Sequence, residues 1–179
     1  MKKFIHLAIL VALISSCGTQ KTSPQLKKYK TKDFIVSYPN TWMKHVKFNH
    51  VDFFPKEFKI NPENELNRLA LNNSKLNLEN LDEVEKTIIE FSEFSYKWQK
   101  NKTSEITKIN NDSKFLYKIE SLFETNFDKN VYKKVEYFYA TKNNKSIKYI
   151  IFQMQKDLFD KYINDAMIII NSFHNKENN

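Results

Sequence analysis

Few side chains in this chain of 179 residues could act in catalysis or metal binding, and they are not clustered in the sequence. The candidates for binding a metal ion are His45, His50 and Asp52, which could meet only if they lie on neighbouring strands. His45 and His50 are five residues apart, and an odd separation places two side chains on opposite faces of a regular strand. A metal site also needs a closed set of ligands, which this spacing does not supply. We therefore predict no metal site.

The chain also lacks the patterns of a hydrolase or of a nucleotide-binding enzyme. A serine nucleophile usually sits on a strained turn flanked by glycine, but the only glycine is Gly18, which precedes any plausible folded element. The same scarcity excludes a glycine-rich phosphate-binding loop. Three carboxylates fall in a polar loop, where we expect them to be solvated and not paired across a cleft: Glu57, Glu63 and Glu65. We predict no catalytic residue, no cofactor and no enzymatic activity.

One cysteine does carry a chemical signal. Lys2 and Lys3 precede an apolar run over residues 4–14, which is the layout of a secretory signal and is shorter than the roughly 20 apolar residues that span a bilayer. Residues 14–17, Ile-Ser-Ser-Cys, resemble the lipobox of bacterial lipoproteins, in which diacylglycerol is attached to the cysteine before cleavage. The alternative is an ordinary cleavage site beside an incidental thiol. Because Cys17 has no second cysteine to pair with, we predict a signal peptide over residues 1–16 and lipidation of Cys17.

Lipidation fixes the expected location and partners. Acyl chains hold a protein at a membrane, so we expect a lipid-anchored protein on the extracytoplasmic side of the cell envelope, at the outer membrane where the cell has one, because Gly18 and not aspartate follows the cysteine. Residues 17–31 are polar and predict a flexible tether. The net charge is +8, but exported proteins rarely meet nucleic acid and most of the lysines are spread along the chain, so nucleic acid is not an expected partner.

The patterns beyond the tether predict one α+β domain over residues 32–174, followed by a disordered tail over residues 175–179. Strands are predicted at 33–38 and 66–71, with one kinked strand or two short ones over 45–54. Apolar side chains at helical spacing run from Leu81 to Trp98 and predict a helix capped by Asn80 and Glu83. An antiparallel meander follows at 105–109, 115–124, 131–141 and 146–154, and a last helix covers about 158–173, capped by Asp157.

This order resembles a known family. A strand containing Phe34 leads into the motif Tyr38-Pro39-x-x-Trp42, and the closing helix ends at Ser172 and Phe173. The arrangement is similar to the PsbP-like fold, which the Ran-binding Mog protein and small bacterial lipoproteins share. The resemblance implies an antiparallel sheet sandwiched between helices, and it implies a non-catalytic binding or assembly factor.

The leading hypothesis is therefore a membrane-tethered protein-interaction or assembly module that binds an unknown envelope protein. Phe94 and Tyr96 fall off the apolar stripe of the first helix and are the candidates for a partner-facing patch. The alternative is a carrier for a lipid or another small apolar molecule. An exposed aromatic ring would favour the first hypothesis, and an enclosed pocket of several hundred Å³ between helix and sheet would favour the second.

Overall fold

The computed structural model describes residues 24–48, 50–58, 66–72, 76–77, 83–94, 98–109, 113–125, 128–141 and 146–176. Several positions of the sequence predictions lie outside these ranges, among them the lipidation site Cys17, the loop carboxylates Glu63 and Glu65, the helix cap Asn80, the first helical position Leu81 and the partner-facing Tyr96. Within the described ranges, no helix has both the length and the apolar character needed to cross a bilayer.

The described part of the chain is an α+β arrangement of two antiparallel sheets and two helices. The helices are α1 (Val84–Phe94) and α2 (Lys156–Ser172). The strands are β1 (Leu26–Lys30), β2 (Phe34–Pro39), β3 (Trp42–Val46), β4 (His50–Pro55), β5 (Arg68–Asn72), β6 (Leu76–Asn77), β7 (Gln99–Lys108), β8 (Tyr117–Thr125), β9 (Val131–Ala140), β10 (Ser146–Gln155) and β11 (His174–Asn175).

The larger sheet has the strand order β3-β4-β5-β10-β9-β8-β7, with the short β6 paired to one end of β10. Its last four strands follow one another along the chain, which confirms the predicted meander. The smaller sheet has the order β1-β2-β11. The predicted strand over 45–54 is two short strands, since β3 and β4 form a hairpin in which Val46 lies opposite Val51.

Alternate side chains of the central strands fill two cores on opposite faces of the larger sheet. One core lies under α1 and contains Ile88, Ile119 and Phe138. The other lies under α2 and β2, and includes Val36, Phe53 and Phe152. Helix α1 therefore covers one face, while α2 and the smaller sheet cover the other, which is the sandwich that the resemblance implied.

A lysine completes the end of α2 in a chain that has one glycine. The Nζ atom of Lys114 donates hydrogen bonds of 2.8 Å to the carbonyl oxygens of Ile170, Asn171 and Phe173. The last carbonyls of a helix have no hydrogen-bond partners inside the helix. Main-chain N–H groups that follow a residue in the left-handed conformation, usually glycine, often donate to them. Lys114, which lies just before β8 in the chain, donates to these carbonyls instead. Burial lowers the pKa of its ammonium group.

The ends of the domain extend further than the sequence predicted. The tether predicted over residues 17–31 is wrong at its end, because Leu26–Lys30 forms β1 and pairs with β2. Main-chain hydrogen bonds hold this polar strand, which carries little of the apolar alternation that identifies strands in a sequence. The tail predicted from residue 175 is also wrong at its start, because Asn175 pairs with Phe34 and the Lys176 amide donates to the Asp33 carbonyl.

Two details of the helices also differ from the predictions. Helix α1 ends at Phe94, and Trp98 lies in the turn before β7, where its ring packs edge-on against Phe123. Trp98 therefore fitted the helical spacing in the sequence, although its ring contacts the sheet and it is not part of the helix. Asp157 is not the cap of α2, because the helix begins at Lys156 and the preceding Gln155 makes no side-chain cap bond.

Candidate interaction surfaces

The aromatic motif of β2 and β3 holds two layers of the fold together. Trp42 is 1% exposed, and its indole Nε1 donates a hydrogen bond of 2.9 Å to Oδ2 of Asp165 on α2. Its ring also contacts Phe152 and Tyr162. Trp42 therefore anchors β3 in the core against α2. A cleft of about 580 Å³ lies beside this contact, and Lys161 and Glu57, which form an ion pair of 2.9 Å, are part of its lining.

Two of the three residues considered for a metal site, His50 and Asp52, meet in an ion-pair cluster. Asp52 is buried on β4, and its Oδ2 lies 3.3 Å from His50 Nε2 and 3.4 Å from both Lys47 Nζ and Arg68 Nη1. His45 lies opposite Asp52 in the β3–β4 register. In the described part of the chain, no three His, Cys, Asp or Glu side chains form a group that could hold a metal ion. Cationic groups compensate the buried carboxylate instead.

An open cleft of about 380 Å³ lies between α1 and β7. Ile89 of α1 and Ile106 of β7 form its apolar walls, and polar side chains lie between them. The most prominent is Lys102, whose Nζ donates hydrogen bonds to the Ser92 carbonyl at 2.7 Å and to the Ser92 hydroxyl at 2.9 Å. Burial lowers the pKa of Lys102, and the negative charges of Glu136 and Glu93 oppose that shift. The cleft is thus a mixed polar and apolar groove.

A buried ion pair lies beneath this region, on the face of β9 that α1 covers. Lys134 Nζ and Glu136 Oε2 are 2.8 Å apart, and both side chains are 0% exposed. Burial lowers the pKa of Lys134 to about 8, although Glu136 favours its charged form. Burial and the charge of Glu136 raise the pKa of Tyr149 to about 12.

This pair predicts an increase in stability with pH. Because the pKa of Lys134 is about 8 in the folded state and near 10.5 in the unfolded state, the unfolded chain binds more protons between these values. The free energy of unfolding should therefore rise from pH 8 to pH 9.5, by on the order of 1 kcal/mol. Urea titrations at several pH values would measure the rise. It should be smaller in a Lys134→Met/Glu136→Leu double variant, and an equal rise in that variant would contradict the assignment.

Gln99 is the unusual side chain of the α1–β7 cleft. It begins β7 and is 9% exposed, and neither its amide nitrogen nor its amide oxygen has a hydrogen-bond partner among the described residues. A buried amide without partners costs about 1–3 kcal/mol. Two residues later, Asn101 adopts a positive φ of 49° at the point where the β7–β8 register shifts. Such bulges are common at sheet edges and at functional sites.

The sequence prediction missed Gln99 and Lys102, because it started the strand at residue 105, six positions after β7 begins. The candidate residues Phe94 and Tyr96 lie on either side of the end of α1 along the chain. Phe94 is the last residue of α1, but its side chain and all of Tyr96 are outside the described structure. Their partner-facing role stays a prediction. The cleft lies directly beside this junction, between the helix that ends there and the strand that follows.

A second surface combines exposed lysines with an exposed ring. Lys27, Lys28 and Lys30 of β1 are exposed, as is Lys32 beyond it. The neighbouring β3–β4 hairpin contacts β1 where Lys44 Nζ lies 4.9 Å from the centre of the Tyr29 ring. Near the tip of this hairpin, Phe48 is 98% exposed. An exposed aromatic ring of this kind is the feature that favours an interaction module over a ligand carrier.

Comparison with known proteins shows the fold. No protein-family description matches the chain, and no curated protein sequence matches it either. The solution structure of cyanobacterial PsbP (CyanoP) from Synechocystis sp. PCC 6803 matches with a TM-score of 0.54 and 14% identity, over 89% of this chain and 97% of that one. The Ran-binding protein Mog1p of Saccharomyces cerevisiae matches with a TM-score of 0.53 and 6% identity, over 85% of this chain and 96% of that one. The PsbP-like α+β fold predicted from the sequence is confirmed.

Proposed function

We propose that this protein is a lipid-tethered, extracytoplasmic and non-catalytic module that binds an extended segment of a protein partner in the α1–β7 cleft. The tether follows from the lipobox-like residues that end at Cys17. One solved structure with the same fold is that of a Ran-binding protein, and therefore of a protein that binds another protein. The cleft supplies the local chemistry for such binding.

The first support is the free edge of the larger sheet. Strand β7 is ten residues long and ends the strand order, so in the described part of the chain its outer edge pairs with no other strand. Unpaired main-chain groups along such an edge can accept another strand, a common way of binding an extended peptide. Ile89 and Ile106 flank this edge and would contact alternate side chains of the added segment.

The single observation that carries the proposal is the amide of Gln99. A glutamine amide offers an acceptor oxygen and two donor hydrogens, which complement the N–H and C=O groups of a peptide backbone. This amide is buried, and no group in the described part of the chain pairs with it. If the side chain rotates outward, a peptide lying along β7 would satisfy both atoms, so the free energy lost on folding would be recovered on binding.

We expect Gln99→Leu to separate stability from binding. Leucine fills a similar volume without polar atoms, so the free energy of unfolding should be unchanged or higher by about 1 kcal/mol. Partner binding should weaken about tenfold or more, because the peptide groups facing this position would lose their hydrogen bonds. Affinity purification of wild-type and variant protein from their own membranes, followed by titration of the recovered partner, would measure both effects.

Gln25→Leu is the matched control, because Gln25 is exposed and lies outside the cleft. It should retain the partner at wild-type affinity. Equal partner binding by wild-type and Gln99→Leu protein would exclude the α1–β7 cleft as the binding site. Recovery of a small molecule alone, lost in the Gln99→Leu variant, would support the carrier alternative. The mixed and open lining of the cleft favours a peptide over an apolar ligand.

A further inference from the structure

The excess positive charge of the mature chain lies entirely near its N-terminus. Residues 49–179 contain 20 basic and 20 acidic side chains. Residues 17–48 contain seven lysines and a single acidic residue, Asp33. The domain is therefore balanced in charge except for the part that follows the proposed lipid.

The structure presents much of this charge on one exposed strand edge. Lys27, Lys28, Lys30 and Lys32 are exposed, and none of their ammonium groups has an ion pair or hydrogen bond within the described residues. Strand β1 ends the order of the smaller sheet. Lysines on an edge strand discourage pairing with other strands. Protection of this edge does not explain why the charge excess is confined to this end of the chain.

The adjacent β3–β4 hairpin adds apolar groups to the same side of the molecule. The contact between Lys44 and the Tyr29 ring, and the ring contact between Tyr29 and Phe53 of β4, hold the hairpin beside β1. Phe48 is almost fully exposed near the tip, and Val46 is also exposed. Lysines around an exposed aromatic ring are typical of surfaces that lie in the headgroup region of a membrane.

We propose that β1 and the tip of the β3–β4 hairpin dock on an anionic phospholipid surface and orient the domain on its membrane. This inference rests on the tether proposed at Cys17. Leu26 lies nine positions after Cys17, so an extended tether reaches about 30 Å. The lysines are therefore held close to the headgroups, where each contributes about fivefold to the partition coefficient. Docked in this way, the protein would leave the α1–β7 cleft to its partner.

Lysine footprinting on vesicles tests the docking. The protein purified from its own membranes is reconstituted into vesicles of phosphatidylcholine alone, and into vesicles of an equal mixture with phosphatidylglycerol. It is then acetylated briefly with an amine-reactive reagent, and peptides are quantified by mass spectrometry. The acetylation rates of Lys27, Lys28, Lys30 and Lys32 should be at least about threefold lower on anionic vesicles than on phosphatidylcholine vesicles. The exposed Lys86, Lys100, Lys108 and Lys129 are internal controls and should react equally on both vesicles.

The outcomes separate docking from tethering. Equal rates on both vesicles, or equal protection of the control lysines, would overturn the docking proposal. Protection on native membranes but not on anionic vesicles would also overturn it, in favour of an acidic protein as the partner of β1. About 1 M salt, which shortens the Debye length to about 3 Å, should abolish the protection. The N-terminal peptide of the same digest tests the tether independently, because a free Cys17 thiol would refute lipidation. The footprint of the vesicle-bound protein would still report whether β1 docks on the lipid surface.

A Phe48→Ser variant isolates the role of the hairpin tip. Because the ring is 98% exposed, the variant should fold with wild-type stability. Lys27, Lys28, Lys30 and Lys32 should then be less protected on anionic vesicles than in the wild type. Unchanged protection would remove Phe48 from the docking surface.

Discussion

Replacing Lys134 with methionine is expected to lower the free energy of unfolding by about 3–5 kcal/mol. The substitution leaves the carboxylate of Glu136, which is 0% exposed, without the ammonium group that lies 2.8 Å away. A buried carboxylate without a cationic partner is much less favourable than the pair, because the protein does not replace the hydration that it loses. Urea unfolding followed by tryptophan fluorescence would measure the change.

A double variant, Lys134→Met/Glu136→Leu, is the matched control. It removes both charges and keeps comparable side-chain volume, and replacement of a buried ion pair in this way is often neutral or stabilising. We therefore expect the double variant to recover most of the stability that the single variant loses. If the single variant were as stable as the wild type, the pair would not be buried as the structure places it.

Replacing Trp42 with alanine is expected to cost a similar amount, about 3–5 kcal/mol, because a large buried ring is removed and a cavity remains. The ring is 1% exposed and packs between β10 and α2, where it contacts Phe152 and Tyr162. Thermal or urea denaturation would give the loss. Retention of wild-type stability would contradict the role of this residue as the contact between the two layers.

Two milder variants divide the contribution of Trp42 into packing and hydrogen bonding. Trp42→Phe keeps an aromatic ring but loses the hydrogen bond to Asp165, and should cost about 1–3 kcal/mol. Asp165→Asn keeps an oxygen that can accept the indole N–H, so its effect should be smaller. An Asp165→Asn variant as unstable as Trp42→Ala would show that the carboxylate has another role in the fold.

The two proposed surfaces have different physical characters and would act together. The α1–β7 cleft joins an open sheet edge to a buried amide without partners, so folding leaves unsatisfied groups that an extended peptide can satisfy. The β1 edge instead carries exposed lysines, which in our proposal would attract anionic lipid without forming specific hydrogen bonds. Affinity at the first surface depends on geometry, whereas affinity at the second depends on salt. A domain oriented by lipid would present a fixed edge to its protein partner.

The sequence by itself determined the main elements of the domain. The alternation of apolar side chains in 131–141 and 146–154 identified β9 and β10, because a strand covered on one face places every second side chain in the core. The strand at 33–38 and the motif around Tyr38 and Trp42 similarly indicated β2 and the PsbP-like fold. The alternation failed for β1, where main-chain pairing to β2 holds a strand made largely of lysines.

Only the tertiary structure decided which of the remaining side chains are buried. Lys134 and Glu136 alternate with the apolar face of β9 and would face water on a sheet covered on one side, but α1 covers this second face and the pair has no exposure. Gln99 is a candidate binding residue because α1 ends at Phe94 and β7 begins at Gln99, which places this side chain in the cleft between them. Periodicity reports the face that a strand turns to its own core, whereas burial of a polar side chain depends on a distant element packing over it.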